Sequence, residues 1–126
     1  MRLEGKVAIV PGGAGSLGAA DARLLAKEGA RVVIADIIDG KGQEIATEII
    51  NAGGEALYLH LDVTSEADWQ SLVDETIKRY ETIDTLVNNA GISSGAYPDP
   101  LDIEGWRHIM DANSTSVYLG TRAVIP

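Results

Sequence analysis

Three observations predict an α/β fold built on a doubly wound parallel sheet. Short apolar runs alternate with helical patterns along the whole chain. The first two runs are apolar without alternation, as in strands covered on both faces. A glycine-rich segment leads from the first run straight into the first helix. One domain spanning residues 1–126 accommodates all of this.

Val7–Val10 is the first strand. Leu17–Glu28 reads as a helix with Leu17, Ala20 and Leu24 on its apolar face, and Gly29 stands at its stop. Arg31–Ala35 is the second strand, and Lys41–Asn51 the second helix, closed by Gly53-Gly54. Ala56–Val63 is a third strand of different character. Leu57, Leu59 and Leu61 alternate with Tyr58, His60 and Asp62, which predicts an edge position. Ser65-Glu66-Ala67-Asp68 resembles a capping box. The helix behind it sets Trp69, Leu72, Val73, Ile77 and Tyr80 on one face. Thr85–Val87 is the fourth strand; a loop with Pro98 and Pro100 follows, then a last helix from about Glu104. In such sheets ligands bind at the carboxyl ends of the strands.

The chain has 19 acidic and 10 basic residues, a formal net charge of -9. That balance argues against nucleic acid or an anionic membrane as partner. With no cysteine, disulfide scaffolds, thiolate metal sites and cysteine nucleophiles are excluded. Neither a signal peptide nor a membrane span is read, so the cytoplasm is the expected location. His60 and His108 lack ligand-spaced partners, and no metal site is expected.

Gly13, Gly15 and Gly18 satisfy G-x-G-x-x-G between a strand and a helix. Glycines there permit a tight turn and close approach of a pyrophosphate. The N-terminus of the helix offers that anion free N–H groups and the positive end of a dipole. Asp36 ends the second strand, 18 residues after Gly18, where a carboxylate can accept from both hydroxyls of an adenosine ribose. It would repel a 2′-phosphate, and neither Ile37, Ile38 nor Gly15 supplies a cation for one. NAD is therefore expected in preference to NADP.

Three further segments complete a resemblance: Asp62-Val63 after the third strand, Asn88-Asn89-Ala90-Gly91 after the fourth, and Asn113 in the last helix. With the glycine loop and Asp36, the chain resembles the short-chain dehydrogenase/reductase family over essentially its whole length. The resemblance implies a Rossmann-type sheet of order 3-2-1-4. It implies that Gly12, Gly13, Gly15, Ser16, Leu17 and Gly18 hold the cofactor pyrophosphate. Asp36, beside Ile37, would bind the ribose; Asp62 and Val63 would flank the adenine. Asn89, Ala90 and Gly91 would support the sheet near the cofactor. Asn113 would be the asparagine of the catalytic tetrad, its backbone anchoring a water in a proton relay. From spacing alone, Asn113 lies amid Trp106, Ile109, Met110 and Val117 on an apolar face, as a buried amide needing partners. Trp69 and Trp106 fit core positions, although Trp106 could also meet a partner subunit, and Tyr97 could touch substrate.

The sequence departs from the family pattern in two ways. Pro11 stands where the loop usually has threonine, and Ser16 where it has its middle glycine. Pro11 removes a hydroxyl and a backbone donor. The family's serine, tyrosine and lysine are absent; Tyr118-x-x-x-Arg122 is in the wrong helix and has arginine for lysine, so both are read as structural. The expectation is thus the N-terminal portion of an NAD-dependent oxidoreductase acting on a small alcohol or ketone. The sheet would be truncated after its fourth strand and the next helix, and the full-length form would be a homo-oligomer, dimer or tetramer. Alternatives are a non-catalytic dinucleotide-binding module and a structural chain whose sheet a partner completes.

Overall fold

The computed structural model describes residues 1–91 and 101–125. Tyr97, Pro98 and Pro100 lie outside the described residues. The elements run β1 (Val7–Pro11), α1 (Ser16–Lys27), β2 (Arg31–Asp36), α2 (Asp39–Asn51), β3 (Glu55–His60), α3 (Glu66–Tyr80) and β4 (Thr85–Leu86). A long last helix follows in three pieces: α4 (Ile103–Met110), a π-helical turn (Asp111–Thr115) and α5 (Ser116–Val124). All strand pairs are parallel, in the order β3-β2-β1-β4. The expected Rossmann-like topology is present, with β3 at one edge.

Alternating residues of the sheet feed two cores. Val10, Val32 and Ile34 meet alanines of α1 and Ile45 and Ile49 of α2. Val7, Ile9, Val33 and Ala35 meet Trp69, Leu72 and Tyr80 of α3, with Leu119 and Val124 of α5 alongside. Strands buried on both sides explain why β1 and β2 are unbroken apolar runs.

The face of α1 differs from the one expected. Leu17 and Leu24 are 69% and 60% exposed, and Ala20 is exposed too. The buried face is Gly18, Ala19, Ala22 and Ala26. Small residues let this helix lie close to the sheet, so shape rather than hydrophobicity selects the inner face. A milder change affects α3: Ile77 is half-exposed, and Thr76 is fully buried in its place, its hydroxyl donating to the Leu72 carbonyl at 2.7 Å. Ser65 caps α3, its Oγ accepting from Asp68 N at 3.1 Å. The reciprocal bond of a capping box is replaced: Asp68 Oδ2 accepts from Asp62 N at 2.9 Å.

Proline in the central strand is tolerated because of where it points. Ile9 O accepts from Val87 N of the β4 side, whereas Gly12 N donates to Ala35 O of β2. By alternation the Pro11 nitrogen faces β4, where an N–H would meet the Val87 carbonyl. That carbonyl accepts instead from Asn89 N at 2.8 Å. The ladder between β1 and β4 is short, and Asp84 extends it: its amide donates to Val7 O at 2.9 Å and its carboxylate accepts from Val7 N at 2.8 Å.

At the β3 edge, Tyr58 lays its ring over α2. A Cβ on Gly42 would run into that ring, Cζ being 2.9 Å away. Asp39, the first residue of α2, accepts from the Tyr58 hydroxyl at 2.5 Å and pairs with His60 Nδ1 at 2.7 Å. The bonds from Tyr58 and then His60 hold the Asp39 carboxyl below the usual value, and the bond to Asp39 raises His60 above 6.5. Among the described residues no helix is long and apolar enough to cross a membrane.

Glu81, just past α3, has φ 69° where Gly29 and Gly53 serve after α1 and α2. Glu81→Gly should raise stability by about 0.5–1 kcal/mol in urea unfolding, through relief of the left-handed strain. An unchanged or lower midpoint would refute the strain. The Asp39–His60 pair should stabilise fully below pH 6.5 and fade as pH rises through the raised His60 value. At the acid end it is lost below 3.8, as Asp39 protonates. Proton NMR should place the His60 midpoint above 6.5, and Asp39→Asn should lower it; equal midpoints would rule the pairing out.

Candidate functional site at the carboxyl edge of the sheet

The glycine loop leaves β1 through Gly12, whose φ of +71° is a conformation that L side chains seldom adopt. Gly12 N is held by Ala35 O at 2.8 Å, and Gly15 N closes a turn onto Gly12 O at 3.1 Å. Gly13 packs flat on β2: a Cβ there would come within 2.8 Å of Ile34 Cγ2 and 2.9 Å of Val10 O. Gly18 is the tightest position. A Cβ would overlap Gly12 O and come to 2.7 Å from Asn89 Nδ2. The first turn of α1 therefore sits directly on the loop and on the segment after β4.

Gly15 caps α1 without a side-chain acceptor. The amides of Ser16, Leu17 and Gly18 have no intrahelical acceptor, as in any first turn. They form an anion-receptive pole in an otherwise acidic protein. Ser16 and the Leu17 side chain are exposed beside it.

Asp36 ends β2 next to that pole. Its Oδ2 accepts from Ala14 N at 3.1 Å, and its Oδ1 from Ile38 N at 3.1 Å. One carboxylate thus joins the glycine loop to the turn before α2. Ile37 and Ile38 are exposed and present no charge. The Asp36 carbonyl accepts from Leu61 N at 3.0 Å and from the Tyr58 hydroxyl at 2.6 Å. Asp62 follows immediately. Its Oδ1 accepts from Thr64 N at 2.9 Å and Thr64 Oγ1 at 2.6 Å, and these bonds lower its pKa below the usual carboxylate value. Val63 O accepts from Trp69 Nε1 at 2.9 Å, which fixes this segment to α3.

Asn89 is the link to β4: its Nδ2 lies 3.4 Å from both Pro11 O and Gly12 O. Ala90 backs Gly12, its Cα 3.1 Å from where a Gly12 Cβ would stand. Gly91 leaves room for Asn113, whose Oδ1 is 2.7 Å from the position of a Gly91 Cβ. The predicted loop, Asp36, Asp62-Val63 and Asn89–Gly91 segments are therefore brought together, and Asn113 reaches Gly91.

The surroundings of Asn113 correct the expectation. It is exposed rather than buried, and Trp106 is 60% exposed rather than in the core. Met110 and Val117 are also on the surface. Trp69 alone of the two tryptophans is buried, with its ring against Gly120 of α5. Asn113 sits at the centre of the π-helical turn, a feature the heptad-like spacing gave no sign of. Arg122 pairs with Glu66 at 3.1 Å on the surface, and Tyr118 is exposed.

Sequence reasoning missed Tyr58, Asp39 and Gly42 as supports of Asp36. The available signal was Gly42, an isolated glycine inside a helical pattern. A separate concavity of about 540 Å³, lined in part by Arg23, Lys27, Glu48 and Gly54, lies at the far ends of α1 and α2 and shares no lining residue with this site. The candidate site is therefore defined by its motifs and not by cavity size.

Comparisons with known proteins bear on the family. The chain is 42% identical over 125 residues to 2,5-dichloro-2,5-cyclohexadiene-1,4-diol dehydrogenase of Sphingobium indicum, covering 99% of this chain and 50% of that protein. It is 44% identical over 124 residues to 3-alpha-(or 20-beta)-hydroxysteroid dehydrogenase of Mycobacterium tuberculosis, covering 98% of this chain and 46% of that one. The crystal structure of hydroxysteroid dehydrogenase from Escherichia coli superposes with a TM-score of 0.89 at 34% identity, over 98% of this chain and 52% of that chain. The chain thus spans about half the length of the curated relatives it matches. The family model described as short chain dehydrogenase matches residues 6–126. With that match over nearly its whole length, and with the shared fold, the chain belongs to the short-chain dehydrogenase family.

Proposed function

We propose that these residues are the dinucleotide-binding N-terminal portion of an NAD-dependent oxidoreductase that converts a secondary alcohol and its ketone. The serine, tyrosine and lysine of the tetrad would come from sequence outside residues 1–126. One observation carries the reading: the anion-receptive start of α1 and the Asp36 carboxylate share one sheet edge, joined through Ala14 N at 3.1 Å. The family typically uses a nicotinamide cofactor, which supplies or accepts the hydride when bound.

The residues fit that group. A Cβ at Gly12 would press on Ala90 and Asn89, and one at Gly18 would overlap the Gly12 carbonyl, so glycine lets the loop, α1 and the segment after β4 close up and bring the first-turn amides to the strand ends, as a bound pyrophosphate requires. Gly12, Gly13 and Gly15, whose amides are bonded within the protein, shape the pyrophosphate seat, and Ser16, Leu17 and Gly18 offer it their backbone N–H groups, with Ser16 Oγ as a further donor. Asp36 orients the adenosine ribose by accepting from its hydroxyls, and Ile37 covers that side. Asp62 and Val63 flank the adenine; Asn89, Ala90 and Gly91 hold the floor beneath the cofactor. Asn113 serves the proton relay: a π-helical turn widens the helix there and loosens carbonyls from their regular partners. The preference for NAD rests on Asp36 and on the neutrality of Ile37 and Ile38. Cyclic secondary alcohols are the favoured substrate class, from the names of the two relatives above. A homo-oligomer is part of the reading, supported by the exposed Trp106, Met110 and Val117 on the last helix.

Calorimetric titration with NADH and NADPH tests it. NADH should bind more tightly, and Asp36→Ala should erase the difference by weakening NADH about tenfold, near the low end of the worth of one charge-assisted hydrogen bond. Equal affinities in the unaltered protein would overturn the cofactor assignment. Pro11→Thr provides a second test. It returns an N–H opposite the Val87 carbonyl and a hydroxyl near the loop, and should tighten NADH by about two- to tenfold. No tightening would show that Asn89 already compensates fully.

A further inference from the structure

We propose that Tyr58 is a positioning residue for the ribose-binding carboxylate, clamping the turn of residues 36–39 so that Asp36 discriminates between NADH and NADPH; this rests on the reading of Asp36 given above. The clamp has a specific anatomy. The Tyr58 hydroxyl lies 2.6 Å from the Asp36 carbonyl and 2.5 Å from Asp39 Oδ1. Both are acceptors, and the hydroxyl has one hydrogen, so the two ends of the turn share a single donor. The turn between them carries Ile38 N, which donates to Asp36 Oδ1. Tyr58 therefore fixes both the main chain behind the carboxylate and the residue that starts α2.

Three other features serve the same arrangement. Gly42, one turn into α2, has no side chain because the Tyr58 ring occupies that space. His60, two residues along β3 on the same face as Tyr58, takes the other approach to Asp39 Oδ1 at 2.7 Å. Leu61 N supplies the second bond to the Asp36 carbonyl, which survives when Tyr58 loses its hydroxyl. Tyr58→Phe should thus loosen the turn without unfolding the β2–β3 pair. A loosened turn lets Asp36 move, which weakens its bonds to ribose hydroxyls and relaxes its repulsion of a 2′-phosphate.

The test is a double-mutant cycle of Tyr58→Phe and Asp36→Ala, read as NADH and NADPH dissociation constants by calorimetry, with urea midpoints recorded. Tyr58→Phe should weaken NADH about three- to tenfold and leave NADPH unchanged or slightly tighter, so the ratio of the two constants falls. In the Asp36→Ala background the same substitution should change neither. Gly42→Ala, which keeps the hydroxyl but displaces the ring, should reproduce the fall in ratio. Equal weakening of both nucleotides, or an effect that persists without Asp36, would overturn the proposal and leave Tyr58 a purely structural residue. If Asp36→Ala leaves NADH binding intact, the ribose assignment itself fails. If Asp36→Ala weakens NADH but Tyr58→Phe and Gly42→Ala do not, only the clamp fails.

Discussion

Everything at the carboxyl edge depends on how closely α1 can approach the end of β1. Gly18 stands over the Gly12 carbonyl and the Asn89 amide with no room for a side chain. That approach draws three segments to one point: the loop after β1, the first turn of α1 and the stretch after β4. It also aims the N-terminus of α1 across the strand ends, where its unpaired amides are most useful to an anion. A larger residue at Gly18 would lift the helix and separate these segments together. The alanine face of α1 is the same constraint continued along the helix, with Ala19, Ala22 and Ala26 keeping it low on the sheet.

The net charge of -9 and the proposed affinity for a polyanion are compatible because the field is local. The pole is made of amides, and the acid bonded to the loop, Asp36, accepts from Ala14 N and Ile38 N with one oxygen each. A carboxylate with donors of its own is held in place and partly neutralised before a ligand arrives. In the proposed reading its position would set selectivity more than its charge does, since a mobile carboxylate could swing away from a 2′-phosphate. Hence the importance of what stands behind it: Leu61 N and Tyr58 on its carbonyl, and Asp39 at the end of the turn.

Periodicity and turn chemistry were enough to read the strands, the edge character of β3 and the glycine loop, whereas strand order came from the family resemblance. They failed where packing shape outweighs hydrophobicity. Leu17 and Leu24 form a convincing apolar stripe, yet the alanines on the opposite side are the ones that fit. Thr76 defeated Ile77 because a threonine can satisfy its hydroxyl on the preceding turn and then be buried. The candidate glycines and Asp36 were legible through a motif, and Asp62, Asn89 and Asn113 through the family resemblance, since each sits at a topologically fixed place. The supports of Asp36 were not, because Tyr58, Asp39 and Gly42 come from two elements and meet only after the edge strand has paired.

The last helix shows how a local irregularity can set the position of a side chain. An unbroken α-helix from Ile103 to Val124 would turn Asn113 through a regular 100° step between its neighbours. The π-helical turn adds a residue to that turn, shifting the register of α5 relative to α4. The shift is fixed from both sides. Gly120 of α5 presses against the Trp69 ring, and Trp69 is in turn fastened by its Nε1 to Val63 O. Ser116, buried just beyond the turn, donates its hydroxyl to Ala112 O at 2.5 Å. With α5 so anchored, the slack of the extra residue falls at Asn113, where Gly91 has space for its carboxamide. Asn113 thus reaches the segment after β4 through the π-helical turn rather than through burial of its own side chain.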